Sequence, residues 1–510
     1  SYFLQASYVD DNTLIKAITF GGHEVTYQAW NGIDAETLAT DRTFNPSGMY
    51  TDENGLVKFH ENEEDNYKQD HYQLHWNERY NNNWTTNIGL NYTYGRGYFE
   101  QYKEDENFAD YDLTDISIGG ETINTTDLIR RRWLDNDFYV FNANANYKNK
   151  VINFTFGTSY NTYTGNHFGE IIWARFASDS EIGDQYYNGL GKKKDFSIFT
   201  KATYRLNNKI SLFGDLQMRF VNYKTSGLTS DRVNMLIDEN YNFFNPKAGI
   251  TYKLNPENNL YFSYARANRE PSRSDFESNP NIKPEQLNDF ELGWRHNTKE
   301  ALIINTNVYY MLYNEQLVLS GAIDNTGAPI RTNSGASYRL GLEVEATLQV
   351  SKKFAIQPNL TFSSNKNKQT ISQIDGELVD LGKTNISFSP EFVAANALIY
   401  QPVNNLQLSF LSKYVGEQYM GNTDSEASKL GSYFVNDLNV SYEIKPNAIF
   451  KSILISALVN NIFGEKYVSN GYYYTYDDTW SDPNQITTIE GAGYYPQATT
   501  NFLLGATLKF

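Results

Sequence analysis

Cysteine is missing from all 510 residues, so neither disulfides nor thiolate metal centres can hold this chain together, and the redox compartment stays open on that count. Missing too is any apolar run of about 18 residues, which excludes helical membrane spans. Cations are in short supply: 43 Lys and Arg stand against 60 Asp and Glu, a net charge of −17. That balance argues against nucleic acid, whose phosphates need clustered Lys and Arg. No nucleophile elbow, zinc-protease helix or phosphate loop stands in a supporting context, so the chain reads as a non-enzyme without a cofactor. No secretory leader opens the sequence, and Ser1 is therefore expected not to be the translated start.

What is present is alternation. Trp84, Thr86, Ile88, Leu90, Tyr92 and Tyr94 share one side of a strand, with Thr85, Asn87, Gly89, Asn91 and Thr93 on the other. Phe502, Leu504, Ala506, Leu508 and Phe510 repeat the pattern at the chain's end. A barrel wall needs only about 10 residues per strand with every second one apolar, so a mean hydropathy of −0.58 is compatible with membrane residence. Forty Tyr and seven Trp suit aromatic girdles at two interfaces. A soluble sandwich shares the period of two, but a face such as Ala355, Gln357, Asn359, Thr361 and Ser363 is too polar for a sandwich core. The fold class is therefore all-β, a transmembrane antiparallel β-barrel.

Nineteen strands follow from this pattern, including 137–149, 151–163, 384–401 and 495–510. Asn-, Asp- and Pro-rich turns join them at one rim, as at Asp10 to Asn12, Asn207 and Asn208, and Pro446 to Ala448. Longer segments join them at the other, notably 22–66, 101–136, 164–192, 225–242 and 466–494. Short turns mark a periplasmic rim and long loops an extracellular one. A closed antiparallel barrel has an even strand number, so an odd number of strands is expected to precede this chain.

Several stretches carry a family resemblance. They are His71-Tyr72-Gln73-Leu74-His75-Trp76, Gly95-Arg96-Gly97-Tyr98-Phe99-Glu100-Gln101-Tyr102 and Asp127-Leu128-Ile129-Arg130-Arg131-Arg132-Trp133-Leu134, then the run from Tyr264 through Arg266, Arg269, Glu270, Pro271 and Arg273 to Phe276, and Val459-Asn460-Asn461-Ile462-Phe463. Over its whole length the chain resembles the barrel portion of a TonB-dependent outer-membrane receptor of the Bacteroidetes type, among those that take iron complexes. The resemblance implies a 22-stranded barrel of which residues 1–510 supply nineteen strands. Signal peptide, TonB box, plug and the first three strands would lie outside the chain. It implies energy-coupled uptake of a large, scarce ligand, a ferric siderophore, with cobalamin, haem or a passive porin as alternatives. The implied partners are the TonB complex, the plug domain, lipopolysaccharide and outer-membrane lipid, the iron complex and a surface lipoprotein.

Two clusters are the candidate ligand-binding residues. Arg130, Arg131 and Arg132, followed by Trp133, concentrate positive charge in a presumed acidic loop, where guanidinium forks suit carboxylates and catecholates and an indole can stack. Tyr472, Tyr473, Tyr474 and Trp480 offer rigid amphipathic rings in the last long loop, and Tyr494 and Tyr495 stand where interfacial rings belong. Trp30, Trp133 and Trp173 are further vestibule candidates. Arg266, Arg269 and Arg273 are expected to brace a loop or plug. His71 and His75 share a lumen face but lie about 13 Å apart at the rise of a strand, too far for one metal.

Overall fold

The computed structural model describes residues 1–298, 301–323, 329–446, 449–482 and 484–510. Its frame is an antiparallel wall of nineteen strands among the described residues. They are β1 (Tyr2–Val9), β2 (Thr13–Tyr27), β3 (Glu64–Arg79), β4 (Trp84–Asn107), β5 (Thr125–Lys148), β6 (Ile152–Ala174), β7 (Gln185–Arg205), β8 (Ile210–Leu228), β9 (Asn234–Lys253) and β10 (Asn258–Arg269). The wall continues with β11 (Glu285–Thr298), β12 (Leu302–Asn314), β13 (Ala336–Ser351), β14 (Phe354–Ile374), β15 (Phe392–Val403), β16 (Leu406–Val415), β17 (Tyr433–Ile444), β18 (Ser452–Asn460) and β19 (Asn501–Lys509). Each pairs with its sequence neighbours, the simplest solution for a chain that must satisfy every backbone group inside a bilayer. No helix among the described residues is long and apolar enough to cross a membrane.

The alternation holds in three dimensions. Leu90, Phe156, Phe362, Leu504 and Leu508 are exposed, and Ile88, Phe154 and Phe354 are half-buried; none of the eight enters a closed apolar core. Tyr72, Tyr92 and Tyr139 form an outward row across three strands, with ring centroids 5.9 and 4.6 Å apart. The opposite face is polar and bonded between strands: Asn87 donates to Asn144 at 2.8 Å, and Thr155 to Asn146 at 2.8 Å. Two glycines on this lumen face admit a close approach. The rings of Tyr261 and Tyr309 lie across Gly293 and Gly341 on the adjacent strand, where a Cβ could not fit.

One rim carries short turns fixed by side chains. Asp10 accepts from the backbone of Asn12 and Thr13 at 2.8 and 2.7 Å, and Asn207 from Lys209 and Ile210 at 2.8 and 2.9 Å. Phe510 packs on Phe450 at this rim, 4.9 Å between centroids. Of the turn expected at Pro446 to Ala448, the last two residues lie outside the described residues.

The other rim departs from expectation. Much of the presumed loop at 22–66, 101–136, 164–192 and 225–242 is strand: β2 runs on to Tyr27, β4 to Asn107 and β6 to Ala174, while β5 begins at Thr125, β7 at Gln185 and β9 at Asn234. A spanning strand needs only about 9–11 residues, so these strands stand well clear of the bilayer. There period two persists, but neither face is lipid, and polarity no longer separates strand from loop. The expected strand 384–401 also breaks: Glu377–Asn385 pairs with the outer end of β14, residues 386–391 are irregular, and the wall strand starts at Phe392. The last strand starts at Asn501.

The tightest apolar packing lies in this outer tier. Phe108, Tyr111, Leu113 and Leu128 form one cluster, Tyr223, Met235, Phe276, Ile282 and Leu317 a second, and Met420, Leu430 and Tyr473 a third. The loops are thus folded substructures seated on the mouth of the barrel.

Candidate functional site

The run Arg130 to Trp133 is strand, not loop. It lies in β5 between β4 and β6, with Arg130 opposite Gln101, Arg131 opposite Glu100, Arg132 opposite Phe99 and Trp133 opposite Tyr98. Alternation then sends the four side chains to two faces. Counting from outward Phe141, Arg131 and Trp133 face outward, whereas Arg130 and Arg132 face the lumen side.

Arg130 is 6% exposed beneath the 3-10 turn Phe108–Tyr111. It donates to Tyr111 Oη at 2.8 Å and, as a fork, to Gln101 Oε1 at 3.2 and 2.9 Å. Burial pushes the Tyr111 phenol well above its ordinary range, so that hydroxyl stays a neutral partner. Arg131 pairs with Glu100 at 2.7 Å and covers the Tyr98 ring at 4.3 Å, while His60 reaches the other Glu100 oxygen at 3.0 Å. Trp133 donates to Glu170 at 2.8 Å and stacks on Phe168, 5.9 Å and 7° away. Arg130, Arg131 and Trp133 are thus engaged by neighbouring wall strands and the turn above them.

Of the three arginines in this run it is Arg132 that projects into a lumen-side cavity of about 800 Å³ at the outer mouth, which Arg273 also lines. Its guanidinium stands 5.3 Å over Phe99 and 5.9 Å over Tyr187 and reaches Ser230. Tyr67, His167 and the helix Arg273–Ser278 complete the walls used here, with Glu24, Asp65, Asp231 and Glu277 as acidic lining. Burial, then the charges of Arg273 and Arg132, lower His167 to about 4, which leaves a neutral imidazole at physiological pH. Burial and the neighbouring Glu24 raise the Asp65 carboxyl.

Glu270 fixes one wall of this cavity. It is 8% exposed, accepts both Arg219 Nη atoms at 2.8 Å, and takes a third charged bond from Lys193. Asp195 holds the same guanidinium through Nε at 2.8 Å. Burial would raise the Glu270 carboxyl, but Lys193 and Arg219 outweigh it and hold it below its ordinary value. The chain after β10 is thereby pinned to the inner faces of β7 and β8. Pro271 follows, and Ser272 caps the short helix in a capping box with Asp275. Arg273 therefore enters the cavity from a fixed ledge, and the brace in this run is Glu270, with no side-chain hydrogen bond or ion pair from Arg266, Arg269 or Arg273 among the described residues.

The aromatic cluster lies elsewhere. Val468–Asp478 and Thr487–Pro496 form a hairpin over the rim, and alternation splits its tyrosines. Tyr472, Tyr474, Tyr476 and Trp480 make one continuous row, with successive centroids 6.2, 6.4 and 5.8 Å apart. Tyr473 points the opposite way, 5% exposed against Met420 and Leu430, with its hydroxyl donated to Glu490. Tyr494 pairs with Ile33, and Tyr495 donates to Trp30 O, so both serve loop docking.

An intervening loop segment connects this row to the wall that carries Arg132. Residues 28–33 bridge them: Trp30 meets Phe99 edge-on at 4.9 Å, and Asn31 O accepts from Tyr472 Oη at 2.8 Å. Trp173 stacks on Tyr102, 6.3 Å away. His71 stacks on Phe20 at 4.4 Å and meets Thr93 at 3.0 Å, and His75 meets Gln73 at 3.2 Å.

Sequence reasoning missed Tyr67, Phe99, His167 and Tyr187. Continuing each strand's lumen parity past the girdle would have found the first two. A second, apolar concavity of about 790 Å³, bordered by Leu4, Leu74, Leu90 and Phe141, lies on the outward face of the lipid belt.

Residues 7–462 match the family described as "TonB dependent receptor-like, beta-barrel". The chain is similar to the ferrioxamine receptor of Yersinia enterocolitica, 22% identical over 324 residues, 63% of this chain and 43% of that protein. It is similar also to the catecholate siderophore receptor Fiu of Escherichia coli K12, 20% identical over 285 residues, 53% of this chain and 33% of that protein. The matched stretches thus span less than half the length of these relatives. The crystal structure of the siderophore receptor PiuA from Acinetobacter baumannii superposes with a TM-score of 0.67 at 14% identity, covering 99% of this chain and 74% of that one.

Proposed function

The chain belongs to the TonB-dependent receptor β-barrel family, barrels of the bacterial outer membrane, and on that footing we propose that it serves the active uptake of a ferric siderophore. The observation that carries this reading is the outer, lumen-side cavity. At about 800 Å³ it suits a ligand larger than a simple nutrient, and it combines the rings of Tyr67, Phe99 and Tyr187 with the guanidinium groups of Arg132 and Arg273. Aromatic walls take the planar parts of an organic chelator, and guanidinium forks take its oxygens.

Under this reading the long-loop rim captures the chelate and the lumen passes it inward. The TonB complex and a plug domain are its energy-coupling partners, and outer-membrane lipid with lipopolysaccharide surrounds the belt. The family is one of transport receptors, and no catalytic step belongs to the reading. Uptake of a radioactive ferric siderophore by cells with and without the receptor is the test. Accumulation should require the receptor and stop when the proton gradient is collapsed. Equal accumulation in both strains across catecholate and hydroxamate chelates would overturn the proposal.

A further inference from the structure

Arg273 and Arg266 share a shielded Nε without a hydrogen-bond partner, and of the two it is Arg273 that lines the cavity. Arg130, Arg131 and Arg219 are each satisfied by protein groups, whereas Arg273 makes no hydrogen bond or ion pair among the described residues, and its Nε is wholly shielded from solvent. A buried donor without a partner is costly, and such groups are rare in folded proteins. The fold nevertheless constructs the position. The Glu270 clasp, Pro271 and the capped turn at Ser272 fix the backbone, and Phe276 locks the helix by stacking on Tyr223 at 5.7 Å. Room for the guanidinium comes from Gly189 on β7: a Cβ there would stand 3.1 Å from Arg273 Nη2. His167 and Arg132 line the same cavity, as do Glu24, Asp65 and Glu277, none of which forms an ion pair with Arg273 among the described residues.

We propose that Arg273 is the specificity-determining contact of the cavity, a fixed fork for an oxyanion of the incoming chelate, and that Glu270 is its positioning residue. This rests on the uptake reading above and narrows it: the substrate class is a net-anionic iron chelate with exposed oxyanions, as opposed to a neutral one. Arg132 lines the same cavity, over the rings of Phe99 and Tyr187 and bonded to Ser230. Neutral His167 supplies a hydrogen-bonding group without adding a charge.

The test uses the intact receptor in detergent, with ferric tricatecholate as the anionic probe and ferric trihydroxamate as the neutral one. Arg273→Gln should weaken tricatecholate binding about tenfold or more, the scale of one hydrogen bond to a charged group, and flatten its salt dependence. Arg273→Lys should restore part of the loss. Glu270→Gln should lower the preference for the anionic over the neutral probe while the barrel keeps its heat-modifiable migration. Lys209→Gln, in a short turn at the opposite rim, should bind within about twofold of the parent.

Perrhenate soaked into crystals gives a readout that needs no siderophore: its anomalous peak should lie against Arg273 and vanish in Arg273→Gln. A parent that binds no iron chelate but places perrhenate there refutes the uptake reading and keeps the anion site. Unchanged tricatecholate binding in Arg273→Gln, a parent that prefers the neutral probe, or no perrhenate peak overturns the proposal.

Discussion

Below Asp137, β5 turns Tyr139 and Phe141 outward, 50% and 38% exposed, and Asn142, Asn144 and Asn146 towards the lumen. Above it the same strand with the same parity carries Arg131 and Trp133 outward and Arg130 and Arg132 inward. In the lower half the environment chooses the residue: lipid on one side, water on the other. In the upper half neither face sees lipid, and each large side chain is settled by a particular partner, as Glu100 settles Arg131 and Tyr111 settles Arg130. One backbone geometry thus serves two kinds of stability. The lower tier depends on solvent transfer, and the upper tier depends on named contacts.

The strongest challenge to that contrast is a charge in the lower tier. Leu90→Arg places a cation in lipid at a cost of about 2 to 4 kcal/mol, while Asn91→Arg stays hydrated in the lumen. The first should sharply reduce folded, heat-modifiable protein and the second should not; equal assembly would remove the lipid belt from the account.

A smaller and more local effect is expected in the upper tier. Arg130→Ala takes a charged donor from Tyr111 and Gln101, a loss of about 1.5 to 3 kcal/mol. Proteolysis should open residues 108–124 while the barrel still migrates as folded. Collapse of the whole barrel would make the two tiers one cooperative unit.

The Glu270 clasp should respond to acid. Its carboxyl sits below the ordinary value of 4.5, so its stabilisation is full above about pH 4.5 and drains away as pH falls through the depressed value. Hydrogen exchange in residues 270–284 should rise below that pH in the parent. Glu270→Gln should be fast at every pH, and a flat parent profile would mean the clasp contributes nothing. The least effect belongs to Trp480→Ala: with the ring 67% exposed, stability should move within about 0.5 kcal/mol by denaturant titration of the detergent-solubilised protein.

The lower tier was legible because hydrophobicity there is a direct readout of face. Leu504 and Leu508 could be assigned from alternation alone, and all nineteen strands were found that way. The upper tier was not, since Glu100 or Arg131 looks like loop by composition, and only register shows that they face each other across two strands. The candidate site suffered for the same reason. Adjacent residues such as Arg131 and Arg132, or Tyr473 and Tyr474, looked like clusters in sequence and proved to lie on opposite faces. The groups that do meet, such as Lys193, Arg219 and Glu270, come from three distant segments that no local pattern joins.

Alternation has a blind spot that two tyrosines cover. A strand that pairs one residue out of step turns its apolar face into the lumen and is rejected by the solvent, but a strand two residues out keeps every face correct. Tyr261 and Tyr309 make that second error expensive. Two places either side of Gly293 stand Glu291 and Arg295, and two places either side of Gly341 stand Arg339 and Glu343. A misthreaded hairpin would set each ring against a Cβ where the native pairing offers bare backbone, so these ring-and-glycine pairs act as proofreaders of an assembly whose hydrophobic pattern cannot count beyond odd and even.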